Sequence, residues 1–159
     1  TEQVARAIDA QVLNQATGGE LYMAKKIVPG SYPKVDFITV AYGTNDYSRY
    51  ETAQDYAEHT GRYIQKLGQL FPDTPIVGIL PLYRNDENHK ARKLYRTYSL
   101  DDARKILRDH YLALPNGHVV EETGIPHLPQ FFAADYLHPN ALGFTIMTQA
   151  IVRKLQGLL

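Results

Sequence analysis

The stretch "VDFITVAYG", residues 35–43, decides the fold because it is an almost unbroken apolar run rich in β-branched residues. Such a run is typical of a strand that is buried on both faces, as the strands of a parallel sheet are. A second run of this kind, "IVGILPL", covers residues 76–82, and a shorter one, "HVVEE", covers residues 118–122. We therefore predict three buried strands.

Helical patterns lie between and around these strands. Apolar residues recur at helical spacing over residues 52–70, 100–111 and 141–155, with Ser99 expected to cap the second helix. The opening stretch, residues 1–15, shows the same spacing, and a loop or short helical turn is predicted from Gly18-Gly19 to the first strand. Strands that alternate with helices predict a parallel sheet covered on both faces, a three-layer α/β/α architecture.

The length and composition exclude several classes of protein. The chain has 159 residues, the size of one domain, and its 17 basic residues balance its 17 acidic ones. No charge block suggests a nucleic acid or an anionic membrane as partner. The absence of cysteine excludes disulfides, zinc–thiolate sites and a cysteine nucleophile. No apolar run approaches the roughly 20 residues of a membrane span.

Polar residues that can carry chemistry follow the first strand directly. Active sites of parallel sheets lie at the carboxyl ends of the strands, and this strand ends in "YGTNDYS", residues 42–48. Gly43 allows a sharp turn and leaves its N–H open to a ligand, while Asn45 offers a side-chain amide. Such neighbouring donors suit an oxyanion. The same residue types also form ordinary turns, which is the alternative.

A second polar stretch, "DYLHPN", precedes the last helix over residues 135–140. Asp135 stands three residues before His138, and a carboxylate there can hold the imidazole in one tautomer, as in a nucleophilic triad. Alternatively, Asn140 simply caps the helix, His138 is a hydrogen-bonded loop histidine and Asp135 is a surface charge. A metal site drawn from the acids at 121, 122 and 135 with His127 lacks a recognised ligand spacing, so no metal is predicted.

Together the two polar stretches resemble the SGNH, or GDSL-type, family of serine ester hydrolases. That family has a Gly-x-Asn-Asp block after its third strand and an Asp-x-x-His-Pro block before its last helix. Residues 43–46 and 135–139 match both blocks at every defining position and in the right order. The resemblance implies a flavodoxin-like α/β/α fold, a small-molecule ester as substrate, such as an acylated carbohydrate or a small lipid-like ester, and no cofactor.

The resemblance also implies a role for each matched residue. His138 is the general base, Asp135 orients it, and Asn45 donates to the oxyanion. Gly43 shapes the turn that presents this asparagine, and Asp46 braces the same turn rather than contacting substrate.

Tyrosines in the loops at the expected active face are a further feature. Tyr47 and Tyr83 can stack on a sugar or line an acyl pocket. The alternative for both is half-buried packing with the hydroxyl group in water.

The sequence departs from the family in lacking a Gly-Asp-Ser block. Its serines, Ser31, Ser48 and Ser99, do not follow a buried strand in a nucleophile setting. The glycine of the family's second block is not evident either, because Gly18-Gly19 follows a predicted helix instead of a strand. We therefore expect the nucleophilic serine, and the first two strands, to lie upstream.

Residues 1–159 are then a single, incomplete SGNH hydrolase domain that is inactive alone. The strand at residues 35–40 should expose an edge, and an apolar edge recruits other chains, so self-association is expected. The competing hypothesis is a non-catalytic binding module that keeps the scaffold without the nucleophile.

Overall fold

The computed structural model describes residues 1–84, 96–121 and 128–158. A parallel sheet of three strands, in the order β1-β2-β3, forms the centre of this part of the chain. The strands are β1 (Ile38–Val40), β2 (Ile76–Ile79) and β3 (Gly117–Val120). The three predicted strands are confirmed, although each is shorter than its apolar run. β2 ends two residues before Pro81, since a proline has no N–H for the ladder.

Helices flank the sheet, and within the described ranges none is long and apolar enough to cross a bilayer. They are α1 (Glu2–Ala7), α2 (Thr44–Arg49), α3 (Ala53–Leu70), α4 (Leu100–Leu112) and α5 (Ala141–Gln156), with 3-10 turns at Ala24–Lys26 and Pro129–Phe131. The predicted cap of α4 is confirmed, because Ser99 and Asp102 form a reciprocal capping box. Asn140 caps α5 by accepting from the N–H of Gly143.

The core lies on both faces of the sheet, which confirms the predicted three layers. Successive strand residues point to opposite faces, so Ile76 packs with α3 and α4 while Val77 packs with α1 and α5. On the first face the Tyr111 ring lies directly over Gly78, where a Cβ would come within 2.3 Å of the ring. The glycine in the middle of β2 therefore gives this buried aromatic ring its place.

The prediction of a helix over residues 1–15 is wrong beyond Ala7. The chain leaves the helix at Ile8, and Asp9 adopts a left-handed conformation with φ of 51°. Val12 and Leu13, which continue the apolar spacing, are 39% and 56% exposed. Most helix stability in proteins comes from packing an apolar face, and these side chains have no such surface.

β1 is an edge strand within the described part of the chain. The N–H of Ile38 donates to the carbonyl of Pro75, so the backbone groups of Ile38 and Val40 face β2. Since backbone groups alternate in direction along a parallel strand, those of Thr39 point to the opposite side, where no described strand lies. The Thr39 side chain is exposed as well.

Candidate active site

The turn after β1 is built around Gly43, which has φ of 108° and begins the short helix α2. Residues with a side chain rarely adopt this backbone conformation. The space is closed as well, because a Cβ on Gly43 would lie 2.7 Å from Leu107 Cδ1 and 2.9 Å from the Tyr56 hydroxyl oxygen. Only glycine meets both conditions, and its conformation turns the chain so that Asn45 follows on the first turn of α2.

The Asn45 side chain is exposed, and its Nδ2 donates to the carbonyl oxygen of Glu20 at 3.1 Å. An amide nitrogen carries two hydrogens, so it can hold this carbonyl and still donate to a ligand. The bond also fixes the direction in which the amide points. Asn45 thus has the geometry of an oriented hydrogen-bond donor at the carboxyl end of a strand.

Asp46 is fully buried and ties the same turn to a distant segment. Its Oδ1 accepts from the backbone N–H of Tyr22 at 2.9 Å, whereas its Oδ2 has no hydrogen-bond partner in the described ranges. Burial raises the pKa of Asp46, because an ionised carboxylate loses hydration there. A carboxylate without exposed surface offers nothing to a ligand, and its hydrogen bond holds the backbone of Tyr22 against the turn.

Gly18-Gly19 lies close to Asn45 in the structure, which the sequence alone did not indicate. The turn closes with the N–H of Glu20 donating to the carbonyl of Thr17, and Glu20 is the residue that Asn45 contacts. A Cβ on either glycine would meet nothing within 4 Å. The pair does not directly follow a helix, since α1 ends at Ala7, but no strand precedes it among the described residues. Because the predicted helix extended to residue 15, the sequence did not indicate that Gly18-Gly19 lies beside the site.

In the second polar stretch, one carboxylate organises the whole loop. Asp135 Oδ2 lies 2.7 Å from His138 Nδ1, and Asp135 Oδ1 accepts from the N–H groups of Leu137 and His138 at 2.9 and 3.0 Å. Tyr136 between them is left-handed, with φ of 53°. The bond with His138 holds the pKa of Asp135 well below its usual range. An ionised Asp135 therefore fixes both the backbone and the imidazole ring.

Asn140 caps α5, as the structural alternative for "DYLHPN" expects, and the carboxylate–imidazole contact that a triad needs is present as well. The Nδ2 of Asn140 also donates to the carbonyls of Gln130 and Phe132 at 2.7 and 3.1 Å. The Asp135 and His138 side chains are nevertheless 48% and 71% exposed. The cap anchors the loop, while the carboxylate–imidazole pair remains open to a ligand.

Tyr47, a predicted substrate contact, is only 5% exposed. Its ring packs edge-on against Tyr98 at 5.4 Å, and the Arg96 guanidinium lies 4.2 Å from the ring centre. A ring this buried offers little surface to a ligand, so the packing alternative describes it better. Tyr83 is half-buried, and contact with substrate remains a prediction for it.

The three serines each have another setting in the structure. Ser99 belongs to the capping box of α4, and Ser48 on α2 accepts a hydrogen bond from Arg84. Ser31 lies exposed in a turn whose N–H donates to the carbonyl of Val28. Within the described residues, no hydrogen bond joins any of the three serines to His138.

Two residues of the rejected metal site, at 122 and 127, lie outside the described ranges, as does most of the polar connection at residues 85–95. Across residues 1–84, 96–121 and 128–158, no group of three or more acidic or histidine side chains is placed to bind a metal ion.

Comparison with known proteins gives a family and a fold. Residues 1–146 match the model of the GDSL-like Lipase/Acylhydrolase family, and no curated protein matches the sequence. The structure resembles the lipase/acylhydrolase from Enterococcus faecalis, with a TM-score of 0.73 and 22% identity, over 99% of this chain and 85% of that one. It also resembles a possible lipase from Chitinophaga pinensis, with a TM-score of 0.72 and 19% identity, over 98% and 87% of the two chains. At these identities the two structures establish the fold alone.

Proposed function

The chain belongs to the GDSL-like lipase/acylhydrolase family, and on that premise we propose that it supplies the base, the orienting carboxylate and an oxyanion donor of a serine-dependent ester hydrolase. The observation that carries this proposal is the bond of 2.7 Å between Asp135 Oδ2 and His138 Nδ1 on a solvent-open loop. A carboxylate at Nδ1 keeps the proton on that nitrogen and leaves Nε2 as the acceptor.

The chemistry then follows from the imidazole. Nε2 of His138 takes the proton of a serine hydroxyl as its oxygen attacks the ester carbonyl, and Asp135 stabilises the imidazolium that forms. The imidazolium gives the proton to the departing alcohol. Departure of the alcohol leaves the acyl group on the serine. His138 then takes a proton from a water molecule, which attacks this acyl-enzyme and releases the acid and the free serine.

In this proposal the nucleophile is a serine upstream of Thr1 in the full-length protein. The other settings of Ser31, Ser48 and Ser99 support it, since each hydroxyl or loop has a different structural role. The topology also supports a shared site. Gly43 follows β1 by three residues and Asp135 follows β3 by fifteen, so both stretches come after the carboxyl ends of parallel strands.

Donors for the oxyanion are the second part of the proposal. Asn45 Nδ2 has one hydrogen engaged by Glu20 and one to offer. Gly19, one residue before Glu20, provides an N–H in open surroundings, and we assign it as a second donor. Each such donor is worth roughly 10²–10³ in turnover in other hydrolases.

The proposed substrate is an acyl or acetyl ester of a carbohydrate or of a small lipid-like molecule. Tyr83, half-buried after β2, is the aromatic residue assigned to the edge of its pocket.

Hydrolysis of a short-chain aryl ester tests this function. The expected result is strong activity in the full-length protein, almost none in residues 1–159 alone, and almost none in full-length His138→Ala. His118→Ala is the matched control, because His118 lies near the amino end of β3, whereas the proposed site lies at the carboxyl ends of the strands. A full-length protein that binds the ester without hydrolysing it would favour the non-catalytic module.

A further inference from the structure

A buried arginine, Arg84, lies against the helix that carries Asn45. It follows β2 by five residues and is only 3% exposed. A guanidinium loses its hydration on burial, so a fold tolerates one there only with good hydrogen-bond partners. Its position at the end of the strand next to β1 brings it to α2.

The contacts of Arg84 with α2 are specific. Its Nη1 donates to the carbonyl oxygen of Thr44 at 3.0 Å and to Ser48 Oγ at 2.6 Å. The guanidinium carbon also lies 6.0 Å from the centre of the Tyr47 ring. One side chain thus contacts both turns of a six-residue helix, including the residue directly before Asn45.

α2 needs such contacts because it is too short to be stable by itself. Isolated helices of fewer than about 12 residues are marginal in water, and the Gly43 start of α2 has no side-chain cap. Asp46 fixes one side of the helix by accepting from the Tyr22 N–H, and Arg84 fixes the other through Thr44 and Ser48. Both contacts hold the short helix from which Asn45 projects.

We propose that Arg84 is a positioning residue, which holds the first turn of α2 so that Asn45 points at the developing oxyanion. This inference rests on the proposed ester hydrolysis. Arg84 is too buried to meet substrate, so it acts through Asn45. A displacement of about 1 Å in a catalytic group can cost up to roughly 10² in rate, so small movements of α2 should be visible in turnover.

A double-mutant cycle in the full-length protein tests the proposal. Arg84→Lys keeps the positive charge but lacks the forked donors that reach two acceptors at once. We expect it to lower kcat about tenfold, with KM changed less than about twofold, since a donor held out of place costs less than the roughly 10²–10³ of a donor removed. Asn45→Ala should give that larger loss.

The coupling of the two changes is decisive. If Arg84 acts through Asn45, then Arg84→Lys has no further effect on kcat in the Asn45→Ala background. Losses that multiply instead, or an unchanged kcat in Arg84→Lys, would overturn the proposal. Arg104→Lys is the matched control, since Arg104 donates to the Pro81 carbonyl and to Asp101, neither of which belongs to α2, and it should keep wild-type kcat.

A milder variant covers the case in which Arg84→Lys does not fold. Ser48→Ala removes one of the two acceptors at an exposed position, and a loss of about threefold in kcat, absent in the Asn45→Ala background, is expected. If Ser48→Ala lowers kcat by the same factor in the Asn45→Ala background as in the wild type, the inference is contradicted. The proposed function fails separately, when the full-length wild type shows no turnover or when Asn45→Ala leaves kcat unchanged.

Discussion

Replacing Gly43 with alanine should destabilise the protein by two distinct effects. A left-handed backbone conformation costs a residue with a side chain about 1–2 kcal/mol, and the φ of Gly43 is 108°. A methyl group there would also lie 2.7 Å from Leu107 Cδ1 and 3.1 Å from Pro81 Cγ. Overpacking of this kind costs about 1–3 kcal/mol. Together the two effects give about 2–5 kcal/mol, a large share of the roughly 5–15 kcal/mol of an ordinary domain.

Two other glycines separate the two effects. Gly30 has φ of 76° and open space around it, so Gly30→Ala should lose only the conformational part, about 1–2 kcal/mol. Gly18 has neither a positive φ nor a close neighbour, so Gly18→Ala should stay within about 0.5 kcal/mol of wild type. Urea denaturation followed by far-ultraviolet circular dichroism is the assay, because the chain contains no tryptophan. If Gly43→Ala lowers the free energy of unfolding no more than Gly30→Ala does, α4 does not pack as closely on the Gly43 turn as described.

Three further outcomes are expected. Asp46→Asn should flatten the pH dependence of stability, because folding raises the pKa of Asp46 and the folded wild type therefore binds more protons than the unfolded chain. The wild type should then lose stability relative to the variant as the pH rises from about 4. If the urea midpoints of the two proteins change in parallel between low and neutral pH, the prediction is contradicted. Asp135→Asn should lower kcat of the full-length enzyme by roughly 10⁴ while leaving thermal stability nearly unchanged, as expected for an exposed orienting carboxylate; a fall in both together would indicate a structural role instead. Finally, we propose that copies of residues 1–159 associate through the open edge of β1, and Thr39→Lys, which places a charge on that edge, should shift light scattering toward monomer; a wild-type monomer at high concentration would refute it.

The elements predictable from sequence are those in which local pattern and packing agree. α3 and α4 are long, amphipathic and capped by Thr52 and Ser99, and both formed where their spacing placed them. The pattern over residues 1–15 has the same spacing, yet only α1 formed, and Val12 and Leu13 remain exposed instead of forming a buried helical face. Periodicity records which residues can share a face, and it does not show whether a partner surface exists.

The contacts of the candidate site likewise fall into those that the sequence could predict and those that it could not. The Asp135 and His138 contact spans three residues, so the spacing itself allowed it to be predicted. The contact of Asn45 with Glu20 joins positions 25 residues apart, and that of Arg84 with Thr44 joins positions 40 apart. No local pattern marks such contacts.

Helix α2 is the clearest case of structure that the sequence did not predict. At six residues it is too short for an apolar period to be visible, and it depends on Asp46 and Arg84 for its place. The sequence indicated the residues of the proposed chemistry and a bracing role for Asp46, whereas the contacts of Arg84 with α2 became visible only in three dimensions.

A fluorophosphonate probe, which reacts with a serine activated by a neighbouring base, tests most directly whether His138 and Asp135 serve a serine nucleophile. Peptide mapping of the labelled full-length protein should show one modified serine, upstream of Thr1, and His138→Ala should abolish the label. Residues 1–159 alone should remain unlabelled. A label on Ser31, Ser48 or Ser99, or one that persists in His138→Ala, would contradict the assignment of the Asp135–His138 pair.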